Sequence, residues 1–273
     1  MNKLLIICGP TATGKTALAA VLAKQFNGEL VSADSRQVYR GMDIVTGKDR
    51  PNVPVWLYDV VAPDEEFSVS RWVKLANSAI FDIATRGKLP IIVGGTGLYI
   101  NALIHPFETI DIPPNKALRT KLQTLTVAEL QKMVKRSDMN NSDWNNPRRL
   151  IRKIEIARSK VVIGKPARQY DYLVIGLTAP IPVLYKRIDD RFKKRVRQGM
   201  KEEIKILLKK YGKELSSMSA IGLNEHAYAR RQLTWFKKQK GIHRFDVTDL
   251  EHQNRVAAIV AAWYTTATYV PED

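Results

Sequence analysis

Eight residues near the amino terminus, Gly9-Pro10-Thr11-Ala12-Thr13-Gly14-Lys15-Thr16, fit the pattern G-x-x-x-x-G-K-[ST] and constrain this chain more than any other feature. The glycines let the backbone curl round an anion with its N–H groups inward, and a helix beginning at the loop adds the positive end of its dipole. Lys15 supplies a point charge, and the Thr16 hydroxyl is a candidate Mg²⁺ ligand. The apolar run Lys3–Cys8 reads as a buried strand before the loop, and Leu18, Val21, Leu22 and Phe26 fall at helical spacing after it. A strand, a phosphate loop and a helix in this order imply α/β architecture, a P-loop doubly wound parallel sheet. The motif identifies diphosphate binding and does not say what the diphosphate is attached to.

The rest of the chain extends that pattern and then interrupts it. Strands are predicted over Glu29–Ala33, Val55–Val61 and Pro90–Val93, with a long helix over Ser68–Arg86 and another helix after Gly94-Gly95-Thr96-Gly97. From 105 to 168 no strand pattern occurs. Helical segments at Lys116–Leu125, Val127–Lys135 and Pro147–Lys160 lie between Pro-Pro and Asn-rich turns. Tyr172–Leu177 restores a core strand, basic helices follow from Pro182 to Tyr211 with more helix to Lys238, and a strand Ile242–Val247 and a helix Glu251–Tyr269 close the chain. The expected organisation is a catalytic core from 1–104 and 169–273 with a helical insertion domain at 105–168.

Charge is unevenly placed. The net charge is +17, yet residues 1–104 contribute only +2, residues 105–170 give +8, 171–240 give +10 and 241–273 give −3. An excess confined to the middle of the chain points to a polyanionic partner, nucleic acid first, against the alternative of a solvated basic face. The longest apolar runs are far too short to span a membrane, and the start of the chain resembles a strand rather than a signal peptide, so a cytoplasmic protein is expected. One cysteine, Cys8, reads as a small buried strand residue, and with four scattered histidines it excludes a zinc finger.

Asp34 ends the second predicted strand, where open α/β sheets carry out their chemistry. It is a candidate for binding metal or accepting a proton, with an Asx turn or helix cap as the plainer alternative. Arg231-Gln232-Leu233-Thr234-Trp235-Phe236 mixes basic and aromatic residues as RNA-binding surfaces do, although Trp235 suits a core equally well.

Several segments together resemble the tRNA dimethylallyltransferase (tRNA isopentenyltransferase, IPP transferase) family: GPTATGKT at 9–16, SADSRQVYRGMDI at 32–44, GGTGLYI at 94–100, NPRRLIRKIE at 146–155, RIDDRFKKRVRQGMKEE at 187–203, SAIGLNE at 219–225 and RRQLTWFKK at 230–238. The resemblance implies that the loop Gly9, Pro10, Thr11, Ala12, Thr13, Gly14, Lys15 and Thr16 holds dimethylallyl diphosphate with Mg²⁺, and that the acceptor is the exocyclic amine of the adenosine 3′ of the tRNA anticodon. It implies Asp34 as general base, Thr96 at the reaction centre and Arg191 near the diphosphate. It places tRNA contacts at Asp34, Ser35, Arg36, Gln37, Thr96, Arg119, Arg148, Arg149, Leu150, Ile151, Arg152, Arg230, Arg231, Gln232 and Trp235. A monomer is expected. The competing readings are a small-molecule kinase on the same loop, a prenyltransferase acting on free adenine nucleotides, and a non-catalytic RNA-binding protein; the intact Lys15, Thr16 and Asp34 oppose the last.

Overall fold

The computed structural model describes residues 2–159, 170–212, 217 and 224–265. They divide into two compact units, Met1–His105 with Arg168–Asp273, and Pro106–Ala167. The first is built on a six-stranded parallel sheet in the order β3-β2-β4-β1-β5-β6. The strands are β1 (Asn2–Cys8), β2 (Gly28–Ser32), β3 (Val55–Trp56), β4 (Leu89–Gly94), β5 (Tyr170–Thr178) and β6 (His243–Asp246). Central parallel strands are covered on both faces and so read as unbroken apolar runs. Accordingly Leu4, Leu5, Ile6, Ile7 and Cys8 have no exposed surface. Burial pushes the Cys8 thiol up to about 12, which makes it an inert packing residue.

Helix α1 (Lys15–Gln25) packs Leu18, Ala19, Leu22 and Ala23 on the sheet. Helix α2 (Val69–Thr85) is capped by Ser68, whose side chain accepts from the Arg71 N–H, and buries Trp72, Val73, Ala76, Ala79, Ile80 and Ile83. The Trp72 indole donates to the Ser32 carbonyl at 2.9 Å, which ties that helix to the end of β2. Helices α3 (Gly97–Ile104), α8 (Ile181–Arg197), α9 (Met200–Tyr211), α10 (Glu225–Lys237) and α11 (His252–Thr265) complete this unit, and the four α-helices between α3 and α8 belong to the other.

The predicted strand Val55–Val61 stops after Trp56 because Leu57 and Asp59 both adopt positive φ, 66° and 57°. Asp59 is drawn out of the ladder to Lys48, whose side chain is fully buried and also donates to Asp43 and to the Tyr39 carbonyl. The pairing resumes only as an isolated bridge between Tyr39 and Val61.

In the unit Pro106–Ala167 the Asn-rich turns act as helix caps. Asn115, Asn140 and Asn146 each accept a backbone N–H at the start of α4 (Lys116–Leu122), α6 (Asn141–Trp144) and α7 (Pro147–Ala157), and Thr126 with Glu129 forms a capping box on α5 (Val127–Gln131). Each cap starts a new helix, so α4 and α5 end earlier than their sequence pattern suggests. Leu122, Leu130, Leu150, Ile151 and Ile154 form the core. Beside it lies the buried Glu155, which accepts from Arg119 Nε and a second Arg119 nitrogen (both 2.8 Å), from the Asn115 N–H (2.8 Å) and from Arg152 (3.4 Å). Burial alone would raise the Glu155 pKa, and these bonds hold it below the usual range. The end of the predicted helix at Lys160, the boundary at 168 and residues 266–269 of the last predicted helix lie outside the described residues.

Removing Glu155 takes a shared buried acceptor from two arginines and an amide. Glu155→Ala should cost on the order of 3 kcal/mol of stability in denaturant unfolding, while exposed Glu108→Ala should change little.

Candidate active site

With β4 lying between β1 and β2, the carboxyl ends of the three strands stand side by side, and the loops that leave them, 9–16, 33–37 and 94–97, meet there. The phosphate loop begins at Gly9, where φ is 144° and a Cβ would sit 2.2 Å from the Leu177 carbonyl oxygen, so no side chain fits. Thr13 is buried and its hydroxyl donates to the Pro10 carbonyl at 2.9 Å. The Lys15 ammonium donates to the same carbonyl at 2.6 Å. Burial and the nearby Arg191 lower the Lys15 pKa to about 8.

A cavity of about 330 Å³ opens on this loop, lined by Ala12, Gly14, Lys15, Thr16, Asp49, Arg187, Asp190 and Arg191. Arg191, from α8, hydrogen-bonds the Thr11 hydroxyl and pairs with Glu225 at 2.8 Å. Its Nε is buried with no partner among the described residues, a donor in want of an acceptor. Glu225 also pairs with the buried Arg195, and both arginines hold its carboxyl below the usual range against the opposing effect of burial. The cavity therefore presents an excess of donors, which suits a diphosphate. Thr16, Asp49 and Asp190 supply oxygen ligands of the kind Mg²⁺ takes. Among the described residues no group of three or more His, Cys, Asp or Glu forms a metal cage, so a metal here would share its ligands with phosphate oxygens, as Mg²⁺ commonly does.

Asp34 forms the Asx turn that was the plainer alternative: its Oδ1 accepts from the Arg36 N–H at 2.9 Å. Oδ2 has no hydrogen-bond partner among the described residues, so the turn orients the carboxylate and leaves one oxygen available. Thr96 is bonded to the residues on either side of Asp34. Its N–H donates to the Ala33 carbonyl at 3.1 Å and its hydroxyl accepts from the Ser35 N–H at 3.0 Å. Gln37 is committed to its own loop, accepting from Ser32 and donating to the Gly47 carbonyl, both at 3.1 Å.

Helix α10 closes the site with one face. The side chains of Glu225, Tyr228, Gln232 and Trp235 are spaced three, four and three residues apart and so form a stripe. Gln232 accepts from the Thr11 N–H at 2.8 Å and donates to the Gly95 carbonyl at 2.9 Å. A Cβ on Gly95 would lie 2.2 Å from the Gln232 amide nitrogen, and Trp235 packs just as closely on Gly97.

Several residues expected to contact tRNA are turned inward or engaged within the chain. Gln232 is buried and Trp235 half-buried, both turned towards the glycine segment rather than outward. Leu150 and Ile151 are core residues of the insert, and Arg119 and Arg152 are engaged with Glu155, Arg152 also donating to the Thr109 and Ile112 carbonyls. Arg148 and Arg149 remain exposed, as do Arg230, which donates to the Tyr185 hydroxyl at 2.7 Å, and Arg231. Glu225, Tyr228, Arg195 and Asp49 were not singled out from sequence; the first two could have been found from the helical spacing that joins them to Gln232.

Residues 37–227 match the family described as IPP transferase, and residues 2–54 match the one described as isopentenyl transferase. The chain belongs to the IPP transferase family. It is 37% identical to a tRNA dimethylallyltransferase of Geobacillus thermodenitrificans, with 92% of each chain covered, and 38% identical to one from Roseiflexus, covering 96% of this chain and 99% of that one. The crystal structure of the tRNA isopentenylpyrophosphate transferase from Bacillus halodurans superposes with a TM-score of 0.71 at 33% identity, over 96% of this chain and 97% of that one. A eukaryotic dimethylallyltransferase captured acting on tRNA shares the fold at a TM-score of 0.82 and 24% identity. No helix among the described residues of this family member is long and apolar enough to cross a membrane.

An anion in the cavity restores the Lys15 charge. Binding of inorganic diphosphate should therefore take up a proton near pH 8 and weaken as pH rises through that value. Calorimetry in buffers of different ionisation heat reads this. Lys15→Met should abolish the uptake and weaken binding about ten- to a hundredfold.

Proposed function

We propose that the chain transfers a dimethylallyl group from dimethylallyl diphosphate to the exocyclic amine of the adenosine 3′ of the anticodon in tRNA, releasing diphosphate. The observation that carries this reading is the placement of a donor-rich phosphate cavity beside the Asp34 carboxylate, whose charge reaches Lys15, in a member of this family. A small-molecule kinase has less use for the basic segments of the chain, which suit a polyanionic acceptor.

The amine nitrogen attacks the allylic carbon, a C–N bond forms, and the C–O bond to diphosphate breaks. Charge gathers on the leaving oxygen, where Lys15, Arg191 and the N–H groups of the loop face it. Mg²⁺, held by Thr16 and a neighbouring carboxylate, would neutralise part of that charge. The proton lost by the nitrogen passes to Asp34. Thr96 and Ser35 fix the loop that carries this base. The acceptor base has to leave its stack to reach the site, which also keeps water out. Exposed arginines, Arg148 and Arg149 in the insert and Arg230 and Arg231 on α10, are the side chains we assign to phosphate contact.

Incubation with unmodified tRNA and labelled dimethylallyl diphosphate should place label on an adenosine in nucleoside analysis. Asp34→Ala should lower turnover by about a hundredfold or more, with tRNA binding kept. Phosphoryl transfer from a nucleoside triphosphate, with no prenyl product, would refute the reading.

A further inference from the structure

Three phenols stand near enough to Asp34 to feel its charge: Tyr58, Tyr99 and Tyr228. Tyr99 is 5% exposed and stacked on Trp72 at 4.7 Å, so the core occupies its face. Tyr58 feels Asp49, which lines the phosphate cavity, before it feels Asp34. Tyr228 differs from both. Its ring is covered by the Arg36 guanidinium at 4.1 Å, with Arg231 at 5.7 Å. Burial first, and then the Asp34 charge, push its hydroxyl up to about 12, so it stays protonated and able to donate. The Thr96 hydroxyl acts on the same phenol.

We infer that Tyr228 is the aromatic platform of the acceptor pocket: a purine takes the ring face that Arg36 now covers, and the Tyr228 hydroxyl, beside Thr96 and Asp34, fixes its bearing.

An arginine is a suitable cover for such a face. Its guanidinium is planar and stacks as a base would, and it has a better partner once nucleic acid arrives, a phosphate. The exchange gives Arg36 an ion pair and gives the base a π surface, so the covered ring opens only when both partners are present. Stacking also suits a base that has given up its own neighbours on leaving the anticodon loop. The hydroxyl then adds what stacking alone lacks, a direction in the plane that aims the amine at the donor carbon.

This inference rests on the proposed RNA prenylation, and its test is arranged to separate the two. Tyr228→Leu and Tyr228→Phe would be assayed with dimethylallyl diphosphate and an anticodon stem-loop, alongside an otherwise identical stem-loop lacking the acceptor base for binding. Tyr228→Leu should raise the KM for RNA about ten- to a hundredfold and leave diphosphate affinity as in the parent protein. Its effect on binding should vanish with the abasic stem-loop, which a purely structural role would not produce. Tyr228→Phe should keep the KM for RNA within about threefold and lower kcat instead. If the leucine variant does not fold, Tyr228→Met takes its place. An unchanged KM for RNA in a folded ring-less variant, or an equal loss on the abasic stem-loop, overturns the inference. Failure of the parent protein to prenylate RNA would instead overturn the function on which it rests.

Discussion

The Gln232 amide is the joint on which the site depends. One end of this buried side chain accepts from the phosphate loop at Thr11 and donates to the carbonyl of Gly95, next to Thr96. Only an amide offers a donor and an acceptor side by side without charge; glutamate could not donate to Gly95, and asparagine is one carbon short. Loss of either bond strands a buried backbone group, at about 1–3 kcal/mol each. Gly95 lacks a Cβ because this amide occupies the space one would need. The phosphate loop and the glycine segment beside Asp34 are thereby held in register by this side chain.

The rest of α10 continues the same work along its length. Glu225 steadies Arg191 against the phosphate loop and offsets the charge of Arg195, Tyr228 carries the Arg36 guanidinium on its ring, and Trp235 seals against Gly97. A cavity lined with Lys15, Arg187 and Arg191 would repel itself without counter-charge. Glu225 supplies part of that charge within the fold; burial first, and then Arg191, lower the Lys15 pKa, and a bound anion would offset both.

Much of this was legible in the sequence. The phosphate loop carries its own geometry in Gly9, Gly14, Lys15 and Thr16, and the apolar strands around it can be buried in few ways. The long amphipathic helix over 69–85 was equally plain. The strand after Val55 was misjudged because its end is set by a distant lysine, Lys48, which extracts Asp59 from the pattern. The arginines of the insert show a similar limit. Counting charge cannot tell a residue that faces solvent from one that faces a buried Glu155, so Arg119 and Arg152 looked like their exposed neighbours Arg148 and Arg149. On α10 the motif gave Gln232 a tRNA-facing role and left Trp235 open between an RNA surface and the core; the three-four-three spacing is what turns both inward.

The claim that one amide couples the two ends of the site is tested most directly by replacing it. Steady-state kinetics of Gln232→Leu, with its fold verified by thermal unfolding, should show KM raised for both dimethylallyl diphosphate and RNA relative to the parent protein. A folded variant in which neither constant moves, or in which only the RNA constant moves, would contradict the account.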